Sequence, residues 1–123
     1  MKMKLLAAGL LAVAAAAAAN AMDVATYLAK ADALRQRGMT AMFSSEAREL
    51  QAEIRSSGAA LKQERLAAQR SGRRPFYCPP GPASLSVEEI FAAMNAVPPA
   101  RRARTPVRDA LRAAFVRKYP CPR

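Results

Sequence analysis

Cys78 and Cys121 are the residues of this chain with the most covalent chemistry to offer, and they are its only cysteines. Neither lies in a Cys-x-x-Cys motif, so nothing marks them as a catalytic dithiol. A structural disulfide is the simplest use of the pair, and a reactive free thiol is the alternative. Carboxylates come next. Glu88 and Glu89 could share acid and base roles, but adjacent helix positions point about 100° apart. Carboxylates in a first helical turn ordinarily complement the helix dipole, and that is the role expected of them. The sequence contains no histidine. Ser-His-Asp and Cys-His nucleophiles are excluded, as is any zinc site built on imidazole. Two cysteines are too few for a thiolate cage, and the five glycines stand singly, so no phosphate-cradling loop is present. We assign no catalytic residue, no cofactor and no metal. The chain is not expected to be an enzyme.

The elements that must position these residues are helical throughout, and no window alternates long enough to suggest a strand. Asp23 to Arg37 carries Val24, Tyr27, Leu28, Ala31 and Leu34 at helical spacing, and Gly38 stops it. Met39 to Phe43 reads as a short apolar turn that drops Met42 and Phe43 onto the core. A longer helix begins near Ser44 or Ser45, with a seam through Ala47, Leu50, Ile54, Leu61 and Ala68, and ends by Gly72. Gly58 interrupts that seam, marking either a break or a close crossing by another helix. Arg73 to Pro82 holds four prolines and a glycine, and forms a rigid extended connector. Ser86 and Glu89 then make a capping box, and Leu85 with Ile90 a hydrophobic staple. Val87, Ile90, Phe91 and Met94 form the buried stripe of that helix, which Pro98-Pro99 terminates. The last helix takes Thr105 as N-cap and Pro106 as its first residue. Val107, Leu111 and Phe115 are its buried positions. A Cys78–Cys121 bond would tie both ends of this C-terminal hairpin together.

Residues 1–21 read as a cleaved secretory signal peptide. Lys2 and Lys4 form the positive start, Leu5 to Ala19 the apolar stretch, and Ala19 and Ala21 the small-residue cleavage site. A membrane anchor is the rival, but the run is shorter than the roughly 20 apolar residues a span needs. The absence of a cysteine near the cut argues against a lipoprotein. Cleavage after Ala21 leaves residues 22–123, about 100 residues and one domain by length. Without Lys2 and Lys4 the remainder has 18 basic residues against 9 acidic ones, a net charge of +9. So small a domain benefits from a staple. The expected compartment is the oxidising periplasm, where paired cysteines persist. Closing a loop of this length is worth about 4 kcal/mol in the chain-entropy account.

The last 45 or so residues carry a pattern. Phe76-Tyr77-Cys78-Pro79 opens it, then come the helix around Val87 to Phe91, the Pro98-Pro99 break and the helix Val107 to Phe115. Tyr119-Pro120-Cys121 ends it. This resembles the C-terminal half of the Rap/Tai immunity-protein family of type VI secretion systems, with one extra residue between Phe76 and Cys78. The resemblance implies a small exported all-α protein, a four- to five-helix bundle stapled by one disulfide. Its implied partner is a protein, a peptidoglycan-cleaving amidase effector whose cleft it blocks, and it implies a homodimer. Contact residues do not transfer by motif. The local candidates are Arg73, Arg74, Phe76 and Tyr77, because arginine and aromatics are enriched at binding hot spots. Their bland alternative is that the arginines cap a helix while the aromatics pack on the bundle.

Charge offers a second reading. Arg101, Arg102 and Arg104, with Arg108, Arg112 and Lys118, could form a basic face for anionic lipid or an envelope polymer. A plain solvated helix surface is the alternative. Nucleic acid is not an expected partner of an exported chain without a binding motif. A third reading is an HdeA-like periplasmic chaperone. With no histidine to titrate, its acid switch would have to run on few carboxylates.

Overall fold

The computed structural model describes residues 21–123. The signal-peptide reading falls on residues that, apart from Ala21, lie outside those described. The first helix, α1 (Val24–Arg37), starts at an N-cap, where Asp23 Oδ1 accepts from the Thr26 N–H at 2.8 Å. It buries Val24, Tyr27 and Ala31 and ends at Gly38, whose φ of 87° suits a residue without a side chain. A 3₁₀ turn (Met39–Phe43) reverses the chain. Ser44 then caps α2 (Ser45–Arg70), its Oγ accepting from the Ala47 N–H at 3.2 Å.

Helix α2 runs unbroken through Gly58. A side-chain carbon built there meets nothing within 4 Å, so neither a break nor a close helix crossing explains this glycine. The helix stops in a Schellman arrangement. Gly72, at φ 72°, donates to Gln69 O at 3.2 Å and Arg73 N–H donates to Ala68 O at 2.8 Å.

The irregular connector leads into α3 (Val87–Ala96) through the complete capping box. Ser86 Oγ accepts from the Glu89 N–H at 3.1 Å, and Glu89 Oε1 accepts from the Ser86 N–H at 3.1 Å. Leu85 and Ile90, the staple pair, both lie against the core. A second 3₁₀ segment (Pro99–Arg104) precedes the last helix, α4 (Val107–Lys118). The protein is thus all-α, with four helices and two 3₁₀ segments among the described residues, and Cys78 bonded to Cys121. Helix α4 packs on both α2 and α3, while α1 leans on α2 and on the second 3₁₀ segment. One core joins them: Val24, Leu61, Tyr77, Met94, Val107 and Leu111 are covered almost completely.

Three local expectations give way to tertiary forces. Thr105 does not cap α4. It belongs to a short backbone bridge in which Val24 N–H donates to Thr105 O at 2.8 Å and Val107 N–H donates to Met22 O at 3.0 Å. Pro106 takes the cap position, and the Thr105 hydroxyl turns back to donate to Arg101 O. Met42 and Phe43 do not reach the core. They are 62% and 84% exposed, with Met39 at 81%, and Ala41 is the residue of that turn that points inward. Val87 leaves the buried stripe too, at 65% exposed, and Ala93 and Met94 take the buried positions.

Two outcomes follow from this architecture. Gly58→Ala should raise unfolding free energy by about 0.5–1 kcal/mol, since the new methyl meets no neighbour and the unfolded chain loses freedom. Urea unfolding would show it as a higher midpoint with the same slope. Replacing Cys78 and Cys121 together by serine should lower it by about 2–5 kcal/mol in the same measurement.

Candidate functional site

The disulfide end of the molecule is a clasp made of several weak bonds around one strong one. Beside the Cys78–Cys121 bond, Cys78 N–H donates to Tyr119 O at 2.8 Å. The Tyr119 hydroxyl lies 3.2 Å from both the N–H and the carbonyl of Ser84. Lys118 Nζ donates to Ser84 O at 2.8 Å and to Glu89 Oε1 at 2.9 Å. The lysine's bond and the Ser86 N–H hold the Glu89 carboxyl below its usual range, and the carboxylate in turn raises Lys118. Glu89 is therefore a cap and an ion-pair partner, with both roles structural. Glu88 stays exposed on the same turn.

The residues expected to bind a partner have mixed fates. Tyr77 is 1% exposed and stacks on Phe115 at 5.1 Å between centroids, so it belongs to the core and offers no surface. The reason is the disulfide one residue later, which holds this stretch against the bundle. Phe76 is half-buried, 4.7 Å from the Tyr77 ring, with the Arg112 guanidinium 5.4 Å above it. Arg73 closes the α2 terminus and donates from Nε to Ser71 Oγ at 2.9 Å. Arg74 reaches across to Pro122 O at 2.6 Å and holds the tail. Arg102 folds back on α3, donating from Nε to Val97 O at 2.7 Å and from Nη2 to Asn95 O at 3.1 Å. Of the supposed basic face, Arg112 pairs with Glu64 and Asp109, and Lys118 with Glu89. Arg101, Arg104 and Arg108 remain exposed, with no ion pair among the described residues.

The surface best built for contact lies elsewhere. Met39, Met42 and Phe43 project from the turn between α1 and α2 as a convex apolar knuckle. Met39 and Met42 also form one wall of a cleft of about 480 Å³, completed by Ala31, Leu34, Leu50 and Phe91, with the Arg35 guanidinium 5.2 Å over the Phe91 ring. Two ion pairs join α1 to α2 at neighbouring positions: Arg37 reaches Glu46 at 3.7 Å, and Lys30 pairs with Glu49. The Glu46 carboxyl is held below its usual range, first by its own backbone N–H and then by the Ser45 hydroxyl. Arg48 donates to Phe43 O at 3.2 Å and steadies the turn from below. The knuckle carried a signal in the sequence. Large apolar side chains in a five-residue turn, hemmed by Gly38 and Ser44, have too little backbone to turn them all inward.

Among the described residues no group of carboxylates and thiols converges as a metal site, and no helix is long and apolar enough to cross a membrane. Comparison with family models, curated proteins and solved structures finds nothing that matches this chain.

The clasp sets a pH dependence. Glu89 is depressed, so its contribution is present above its unfolded value near 4.5 and lost as pH falls through the lower folded value. Lys118 is raised, so its contribution is present below 10.5 and lost as pH climbs through the higher folded value. Glu89→Gln should destabilise the protein at neutral pH, and the gap from the parent should close at the acid end. Thermal unfolding from pH 2 to 8 checks it; a gap constant across that range would contradict the pairing.

Proposed function

We propose that this chain is an exported, non-catalytic binding protein of the immunity type, one that sets its apolar knuckle into the cleft of a cell-wall-cleaving amidase. The observation that carries the reading is the outward projection of Met39, Met42 and Phe43. Scattered exposed apolar residues are ordinary, but three large ones on one short convex turn are a contact surface. A convex apolar tip complements a concave site, and an enzyme cleft is the concave surface that such a protein would gain by filling. Support of a second kind comes from the resemblance over the C-terminal 45 or so residues and from the signal-like start. The disulfide fits an oxidising compartment. The partner-contacting residues of this reading are Met42 and Phe43.

A second reading has its own observation. Arg101, Arg104 and Arg108, unpaired among the described residues, would draw the protein to anionic envelope polymers. That attraction should vanish as salt rises, because exposed charges are screened within roughly 10 Å at 0.1 M.

Inhibition assays against purified peptidoglycan-cleaving amidase effectors separate the two. Changing Met42 and Phe43 together to serine should leave unfolding free energy within about 0.5 kcal/mol, as for exposed positions generally. Inhibition should weaken by roughly 30-fold or more, the consequence of losing a hot spot of about 2 kcal/mol. A variant that inhibits as well as the parent would remove the knuckle from the mechanism. Failure of the parent to inhibit the enzyme in high salt would sink the immunity reading.

A further inference from the structure

A second cavity, half-enclosed and about 440 Å³, lies between the middle of α2 and the connector. It is well separated from the knuckle: Gly58 stands 13 residues beyond the start of α2, about 20 Å along its axis. Gly58, Lys62 and Arg65 share one face of α2 at the four- and three-residue spacings that stack side chains. Gly81 closes the opposite wall, and Tyr77 and Phe115 form the floor.

Three features of this cavity have no explanation in the fold. Gly58 weakens α2 by about 1 kcal/mol relative to alanine. No close approach or left-handed backbone requires it. What the absent side chain does provide is room in the cavity. Arg65 is the second feature. Its guanidinium lies 5.3 Å over the Tyr77 ring, while its Nε is buried with no hydrogen-bond acceptor among the described residues. A buried donor left unmet costs about 1–3 kcal/mol, and more when charged. Arg48, Arg73, Arg74, Arg102 and Arg112 all find an oxygen acceptor. Lys62 is the third, a solvent-facing cation one turn before Arg65 that forms no ion pair among the described residues.

A single occupant accounts for the room left at Gly58 and for the two cations, Lys62 and Arg65, on one wall of the cavity. We propose that this cavity binds a small organic anion, a carboxylate or a phosphate monoester carried on a compact apolar body. Arginine's planar donors suit an oxyanion edge, and Arg65, its guanidinium stacked over the Tyr77 ring, would offer the edge its terminal nitrogens, since Nε is enclosed. Lys62 adds a second positive charge at the mouth. The apolar body lies over the floor in the space that Gly58 leaves. The volume falls in the range of about 300–1,000 Å³ that suits small ligands. The site needs neither the knuckle nor an amidase, so it stands or falls separately from the proposed function.

Phenyl phosphate, benzoate and inorganic phosphate, each titrated into the disulfide-bonded protein and followed by amide chemical shifts, test it. The expected result is saturable shifts at Gly58, Lys62 and Arg65, with at least one aromatic anion binding tenfold or more tighter than inorganic phosphate. Which of the two binds better identifies the anionic group. Gly58→Leu fills the cavity without touching a charge, and Arg65→Gln removes the anion's partner. Each should weaken binding at least tenfold while circular dichroism shows the helices intact. Absence of saturable shifts, equal binding of inorganic phosphate, or an affinity unchanged in Gly58→Leu would each overturn the proposal. If Gly58→Leu fails to fold, Arg65→Gln and Lys62→Gln carry the test, and unchanged affinity in both would be decisive against it.

Discussion

The Cys78–Cys121 bond holds in place a segment that no regular structure holds. From Arg73 to Leu85 the chain has neither helix nor strand, yet it delivers Tyr77 into the centre of the core. Four prolines stiffen this stretch but cannot anchor it, since they have no amide proton to donate. The anchor is covalent at Cys78, and the bonds of Tyr119 and Lys118 to the same segment, with that of Arg74 from it to Pro122 O, operate inside the geometry that it imposes. Tyr77 then links the two halves. It stacks on Phe115 of α4 and lies beneath Arg65 of α2, so the helices are joined through a side chain that belongs to neither.

Local chemistry was legible where a side chain answers its own backbone. The capping box at Ser86 and Glu89, the cap at Ser44, the glycine stop after Arg70 and the irregular connector depend on neighbours within about four residues. So could be read the all-α class, and the disulfide as the simplest use of the two cysteines. What escaped reading depends on distant residues. Thr105 has the composition of an N-cap, but its backbone was claimed by Val24, some 80 positions earlier. Met42 and Phe43 look like core because they are apolar, and the shortness of the turn between Gly38 and Ser44 shows only that not all its apolar side chains can point inward, not which of them do. Gly58 suggested a break, yet one glycine cannot interrupt 26 residues whose remaining positions favour helix and are packed by α4. The arginines were hardest, since a guanidinium in solvent and one bonded to a distant carbonyl are identical in sequence.

That ambiguity reflects how the molecule manages its surplus of positive charge. With 20 basic side chains against 9 acidic ones, most cations have no carboxylate to meet. Arg74 and Arg102 instead take main-chain carbonyls left over at chain ends and helix ends, where the dipole is negative. Arg35, Arg65 and Arg112 lie over aromatic rings, which accept a cation on their faces. Arginine thus acts here as a packing residue and a cap as often as an ion. The substitution of lysine, which keeps the charge but loses the plane, would not be conservative at these positions.

The bridge between Met22–Val24 and Thr105–Val107 bears on the order in which the molecule is made. The beginning of α1 is joined by hydrogen bonds to a part of the chain that is synthesised late. Cys78 must likewise wait for Cys121. Helices α1 and α2 can form early as a hairpin, but their core-facing sides have no α4 to cover them until nearly everything has emerged. Folding that depends on such distant pairings is slow to begin and abrupt to finish. The bridge, the disulfide and the cover that α4 gives to α2 can therefore close only when the last segment arrives.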